Sequence, residues 1–133
     1  MDPKYAPNAV ALWAGLHLVL LLVLAVLVTR QRRKHGVAIG DGGVPALHAA
    51  IRAFGNATEY IPAALVGLAV LALAGAPPLL IHGVGFTLFV GRALHAFGLS
   101  RSTDASWPRA VGVLATWIAY IAAAAALLIY AIP

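Results

Sequence analysis

The side chains with the most chemistry in this chain sit where an apolar sequence has least reason to place them. In "RAFGNATEY", residues 52 to 60, Arg52, Asn56 and Glu59 fall at i, i+4 and i+7, a spacing that puts all three on one side of a helix. Further along, "VGRALHAFGLS" places Arg92 and His95 at i and i+3, with Gly91 and Gly98 beside them so that a neighbouring helix can approach closely. On this reading Arg92 is a partner for Glu59, and His95 is a proton donor or acceptor, a ligand contact, or a satisfied core group. Arg101 and Arg109 flank the last short polar connection. Singly they read as topology determinants; together with Arg30 and Arg52 they could line the mouth of a cavity with guanidinium groups. Such a cavity suits a ligand carrying carboxylates, because Arg pairs a carboxylate through two parallel N–H bonds and stays charged when partly buried.

Membrane-spanning helices must position these groups. Of the 133 residues, 62% are hydrophobic and 10% charged, with mean hydropathy +0.93, whereas a soluble domain runs at about 45–50% and about 25%. Four apolar runs reach the roughly 20 residues that a bilayer crossing needs: about Ala9–Thr29, Leu47–Ala74, Leu79–Leu99 and Ala110–Ile132. The expected fold is all-α, an integral membrane four-helix bundle occupying residues 1–133 as a single domain. Almost no chain remains for a soluble domain, so any chemistry belongs to the helices, their short connections, or seams between subunits. The stripe on the second span therefore cannot face lipid, where a mid-helix charge costs at least about 2.5–3.5 kcal/mol. One account is a structural network in which Arg52 pairs Glu59 of the same or a neighbouring helix and Asn56 bridges them. Polar bridges between membrane helices return only about 1 kcal/mol each, which favours a functional role for the stripe.

Charge sets the expected orientation. The stretches "RQRRKH" after the first span and "SRSTDASWPR" before the fourth are the most basic, and Lys- and Arg-rich short loops stay cytoplasmic. Loops 1–2 and 3–4 are thus expected in the cytoplasm and both termini on the opposite side. The first span has no basic region ahead of it and is followed by Arg30, Arg32, Arg33 and Lys34, which suits an anchor better than a cleaved signal. The net charge of +5 is concentrated in these loops and reads as topology and contact with anionic membrane lipid, with no nucleic-acid partner. The absence of cysteine excludes disulfides, protein thiol chemistry and cysteine-based metal sites; no metal centre is expected.

Local punctuation agrees with four spans. "HGVAIGDGGVPA" has four glycines and a proline around Asp41, an ordered turn in which Asp41 is a turn or capping residue; it lacks the spacing and lysine of a P-loop. "GAPPLL" makes a short hairpin between spans two and three, and Trp107 with Pro108 marks the start of the fourth. The alanine block in span four permits close helix approach. His17, the single ionisable group of the otherwise apolar first span, reads as a neutral, hydrogen-bonded packing residue. His48 and His82 lie near span ends, where solvated imidazoles need no special explanation.

The stretch "RAFGNATEYIP" resembles the second-helix signature R-A-x-x-N-x-x-E-Y-x-P of the MAPEG proteins, the membrane-associated proteins of eicosanoid and glutathione metabolism. "IGDGG" and "GRALHAFGLS" resemble the loop and third-helix segments of bacterial members, and the likeness extends over about residues 5–130. It implies a homotrimer of four-helix subunits with glutathione, a co-substrate, held between neighbouring subunits near the cytoplasmic side. Arg52, Asn56, Glu59 and Tyr60 match glutathione-contacting positions of the second helix, and Arg92 and His95 match binding positions of the third. Arg109 matches the arginine at the start of the fourth helix that family enzymes use to activate the thiol, and Arg30 the arginine ending the first helix. Two departures stand out: Phe54 occupies a position where bacterial relatives often have His, and Leu99 one where several eukaryotic enzymes have Tyr.

The resemblance implies a glutathione-dependent transferase or peroxidase acting on lipophilic electrophiles or lipid hydroperoxides in the membrane, with Arg109 as the catalytic residue. Its partners would be glutathione, a lipophilic small molecule, membrane lipid and further copies of the chain. The alternative, motivated by Phe54 and Leu99, is a non-catalytic lipid-binding or scaffolding membrane protein of the same fold. A small proton-coupled exporter, the third possibility, would carry its essential Glu in the first span, where this chain has no acid.

Overall fold

A computed structural model describes residues 2–101 and 106–132, excluding the side chains of Pro3 and Arg101. After a single 3-10 turn at Pro3–Tyr5 come four helices: α1 Ala6–His35, α2 Pro45–Leu73, α3 Pro78–Arg101 and α4 Trp107–Tyr130. No strand occurs among the described residues. All four helices are long and apolar enough to cross a membrane. Each carries a proline in its first turn, Pro7, Pro45, Pro78 and Pro108, where the missing N–H would have had no partner and the ring presets the helical φ. α1 and α3 extend beyond the apolar runs at both ends because the basic segment Arg30–His35 and the polar end of α3 continue the helical backbone.

The bundle is apolar inside and apolar outside. Trp13, Leu68, Leu71, Ile81, Leu88 and Ala119 belong to one buried cluster, and Leu24, Ala53, Ile61, Ala96 and Leu99 to a second. Large aliphatic side chains such as Leu22, Leu73, Ile121 and Leu128 remain exposed, a surface that a membrane solvates and water does not. His17 takes the packing role expected of it. It is fully buried, its Nδ1–H donates to the Trp13 carbonyl at 2.7 Å, and its ring stands edge-on to Phe89. His82 is more constrained than a solvated imidazole: Trp13 Nε1 donates to its Nδ1 at 3.2 Å. The Trp13 ring lies directly on Gly85, where a Cβ would overlap it.

α3 and α4 are in the closest contact. A Cβ on Gly112 would lie 2.5 Å from the His95 backbone nitrogen and 2.6 Å from the Gly91 carbonyl oxygen, and one on Gly98 would meet Arg109 at 2.9 Å. Three glycines thus let two backbones touch, and this contact holds His95 and Arg109 side by side. At the end where Arg109 begins α4, the α1–α2 connection is a closed turn. Gly36 caps α1 at φ 67°, and Gly40, Gly42 and Gly43 also have positive φ, a backbone region that glycine enters without steric cost. Arg32 donates from one guanidinium nitrogen to the carbonyls of Val37, Ala38 and Gly40, stitching this turn to the last turn of α1.

Candidate functional site

Arg92 lies at the centre of the polar network. It projects from α3 with only 1% of its surface exposed, and each hydrogen-bonding partner comes from another helix. Its Nε donates to Thr116 Oγ1 on α4 at 2.9 Å and its Nη1 to Asn56 Oδ1 on α2 at 2.7 Å. Thr116 passes its own hydroxyl hydrogen to the Gly112 carbonyl. The guanidinium carbon sits 4.9 Å from the centroid of the Tyr60 ring, within the range of a cation–π contact. Tyr60 in turn meets Tyr120 edge to face, and the Tyr120 hydroxyl donates to the Tyr60 carbonyl. One cation therefore ties α2, α3 and α4 together at a single level.

The carboxylate expected to neutralise it does not do so directly. Glu59 is exposed, and it reaches Arg92 only through Asn56, whose Nδ2 donates to Glu59 Oε2 at a long 3.5 Å. Nor does Arg52 pair with Glu59 within the chain. Among the described residues the ion pairs are Lys4 with Asp2 and His48 with Asp41. The physical reason is register: one helical turn separates Asn56 from Arg52 and nearly one from Glu59, so the amide occupies the middle of the stripe. Arg52 and Glu59 are both exposed on a helix long and apolar enough to span a membrane.

Beside this network is a polar cavity of about 230 Å³. His48, Arg52 and Asn56 enter it from α2, His95 from α3 and Arg109 from α4, with Ala49 and Leu99 completing the wall. The structure so brings four of the expected site residues to one place: Arg52, Asn56, His95 and Arg109. Arg92 stands behind Asn56, Tyr60 behind Arg92, and Glu59 farther along the same helix face; Arg30, exposed near the end of α1, does not line the cavity. Among the described residues the wall carries two guanidinium groups, two imidazoles and an amide and no carboxylate, a set of donors and positive charge that suits an anion. A second, more apolar groove of about 530 Å³ runs along α4 past Val113, Leu114 and Trp117. His95 and Arg109 line this groove as well as the cavity.

His48 is the site residue that its position near a span end concealed. Its Nδ1 lies 2.7 Å from Asp41 Oδ2, while Asp41 Oδ1 accepts the Gly43 N–H at 3.0 Å. Those two contacts, the backbone one first, hold the Asp41 carboxyl below its ordinary pKa. Asp41 is thus the turn residue expected, but it also fixes a neighbouring imidazole. The signal was available as a carboxylate seven residues before a histidine across a glycine turn, although the turn geometry that joins them has to be known first. Residues 102–105 of the basic α3–α4 connection, and the Arg101 side chain, lie outside the described residues.

A sequence profile of the MAPEG family matches residues 10–129. This chain belongs to the MAPEG family. Like the family, it is a four-helix membrane bundle, here an integral multi-pass membrane protein. It is similar to the inner membrane protein YecN of Escherichia coli strain K12, with 40% identity over 111 residues, covering 84% of this chain and 83% of that one. YecN of Escherichia coli O6:H1 strain CFT073 matches to the same extent.

Proposed function

We propose that this MAPEG protein binds glutathione in the cationic cavity and presents its thiol to a lipophilic electrophile or lipid hydroperoxide lying in the α4 groove. The observation that carries this reading is the shared wall: one compartment is cationic, the other apolar, and His95 with Arg109 borders both. A tripeptide with two carboxylates and an apolar co-substrate have opposite solvation demands, and they can react only where such compartments meet. Arg52 and His95 would engage the carboxylates and Asn56 the peptide. Arg109, on the common wall, would stabilise the thiolate, the reactive form of a thiol whose ordinary pKa is about 8.5. Holding both reactants at that wall supplies the proximity that makes the attack effectively unimolecular.

A homotrimer would give the remaining site residues a place. Glu59 is exposed near the middle of a membrane helix, and leaving its charge to lipid would cost at least roughly 2.5–3.5 kcal/mol. A neighbouring copy would cover that face, and Glu59 with Tyr60 and Arg92 would then help to hold the ligand's ammonium and carboxylates across the seam. Arg30 would join from α1 of the same or the adjacent subunit. The cavity lies at the end of the bundle bearing loops 1–2 and 3–4, whose positive charge supports a cytoplasmic position, the side on which glutathione would be supplied.

Isothermal titration of glutathione into the detergent-solubilised oligomer tests the reading. Saturable binding weakened at least about tenfold in Arg52→Ala, a loss of about 1.4 kcal/mol, with turnover lost in Arg109→Ala, is expected. Binding unaffected by Arg52→Ala, or none at all, refutes it. The alternative of a non-catalytic lipid-binding protein is favoured by one observation, an apolar groove of about 610 Å³ between α3 and α4 lined by Leu80, Val84, Ile118 and Ala119. Tight binding of a fatty acid without any glutathione turnover would support it.

A further inference from the structure

A guanidinium stabilises a thiolate but has no lone pair with which to take the proton, which must pass to water or to another group at the site. Two imidazoles line the cavity, and among the described residues only one has a carboxylate against it. His95 is buried in α3 with Arg92 on the same helix and Arg109 beside it. His48, in the first turn of α2, has Asp41 Oδ2 at 2.7 Å from its Nδ1. A carboxylate only accepts hydrogen bonds, so Nδ1 carries the hydrogen, and in the neutral ring that base catalysis requires Nε2 is the acceptor. Asp41 is itself fixed: Oδ1 takes the Gly43 N–H, its backbone carbonyl takes the Val44 N–H at 2.9 Å, and the preceding Gly40 carbonyl is held by Arg32. The turn admits little relaxation, since a Cβ on Gly42 would meet Val37 at 2.7 Å. A base oriented by a carboxylate that is oriented by the backbone is the arrangement by which enzymes activate weak nucleophiles.

We propose that His48, oriented by Asp41, is the general base that takes the proton from a thiol bound in the cavity. The inference rests on the reading of the cavity as a glutathione site and adds a residue and a step to it. The S–H bond breaks, the proton moves to His48 Nε2, and sulfur keeps the electron pair beside the Arg109 guanidinium. Sulfur then bonds to the electrophilic carbon of an epoxide or activated alkene in the apolar groove. The pair displaced from that carbon, onto oxygen in an epoxide or onto carbon in an alkene, takes the proton back from His48 and resets it. Among the described residues, the charged or titratable groups facing His48 are Asp41 from the α1–α2 turn, Arg52 from its own helix, His95 from α3 and Arg109 from α4. Asp41 is a positioning residue in this scheme, because it acts on the thiol only through the imidazole.

The thiolate ultraviolet absorption of glutathione bound to the intact protein, followed against pH, tests the proposal without needing the natural electrophile. Wild type should hold bound thiolate at neutral pH. His48→Gln, at a half-exposed position, should bind glutathione within a few-fold of wild type yet titrate its bound thiol about one pH unit higher, a tenfold smaller ionisation constant. Asp41→Asn should fall between, and Asp41→Glu should recover part of the loss, a rescue that a merely structural turn residue would not give. An unchanged thiolate titration in His48→Gln with glutathione still bound overturns the proposal and leaves the glutathione site standing. If His48→Gln fails to fold, an unchanged titration in Asp41→Asn overturns it equally. Wild type that binds glutathione only as the thiol at neutral pH overturns the base and leaves the site standing, and wild type that binds none overturns both.

Discussion

Asn56 should matter to this protein mainly because of Arg92. It supplies the acceptor for the Nη1 of a guanidinium that is 99% buried and meets no carboxylate among the described residues. Replacing it in Asn56→Ala leaves that N–H group buried without a partner, and the Nη2 group already has none among the described residues. Neutral hydrogen bonds between membrane helices average about 0.6 kcal/mol and reach about 1.7. A bond to a buried ionised group lies higher, about 1.5–3 kcal/mol, and the loss of an acceptor that a cation cannot replace with water places Asn56→Ala near about 2 kcal/mol. Arg92→Met removes the charge together with its need for partners, so it should cost less than a broken buried ion pair despite losing Thr116 and Tyr60 as contacts. In the Arg92→Met background, Asn56→Ala should then cost under about 0.5 kcal/mol, a coupling of at least about 1.5 kcal/mol. The assay is reversible unfolding of the four proteins in mixed detergent micelles, monitored by helical circular dichroism. Equal cost of Asn56→Ala in both backgrounds would refute the reasoning, since Asn56 would then stabilise the bundle independently of Arg92.

Two further outcomes follow from the geometry of the bundle. Gly112→Ala should destabilise by about 1–3 kcal/mol, because the new methyl would lie 2.5 Å from backbone that no rotamer change can move. Gly15→Ala, which meets nothing within 4 Å, should be neutral or stabilise α1 through helix propensity, and equal effects of the two in the same unfolding assay would contradict the close α3–α4 contact. Asp41 has a folded pKa below its ordinary 3.8, so its contribution is present above that value and lost as pH falls below it through the folded value. Nuclear magnetic resonance of the Gly43 amide should report opening of the turn in that acid window in wild type. Asp41→Asn should lack the transition, and an identical acid transition in both would exclude Asp41 as its cause.

Much of the architecture was legible because membrane insertion imposes a simple code. Apolar runs of about 20 residues become helices, since every backbone polar group must be satisfied within its own segment, and the first-turn prolines and the glycine turn mark where helices start and stop. Helical periodicity likewise showed that Arg52, Asn56 and Glu59 share a face, and Gly91 and Gly98 announced a close neighbour, which proved to be α4. Periodicity cannot rank partners between helices. Opposite charge suggested Glu59 for Arg92, yet an amide, a threonine in the apolar fourth helix and a tyrosine ring surround it instead.

By itself, then, the sequence determined the number and limits of the helices, the faces that must avoid lipid, and the residue types able to bind an anion. Only the tertiary structure decided that Arg52, His95 and Arg109 from three helices share one cavity with His48, that two of them also border an apolar groove, and that Asp41 holds His48. The first set depends on local backbone demands repeated along one chain. The second depends on helix rotation and rise set by glycine contacts many residues apart, where shifting one helix by a single residue would turn each side chain about 100° away from its partner.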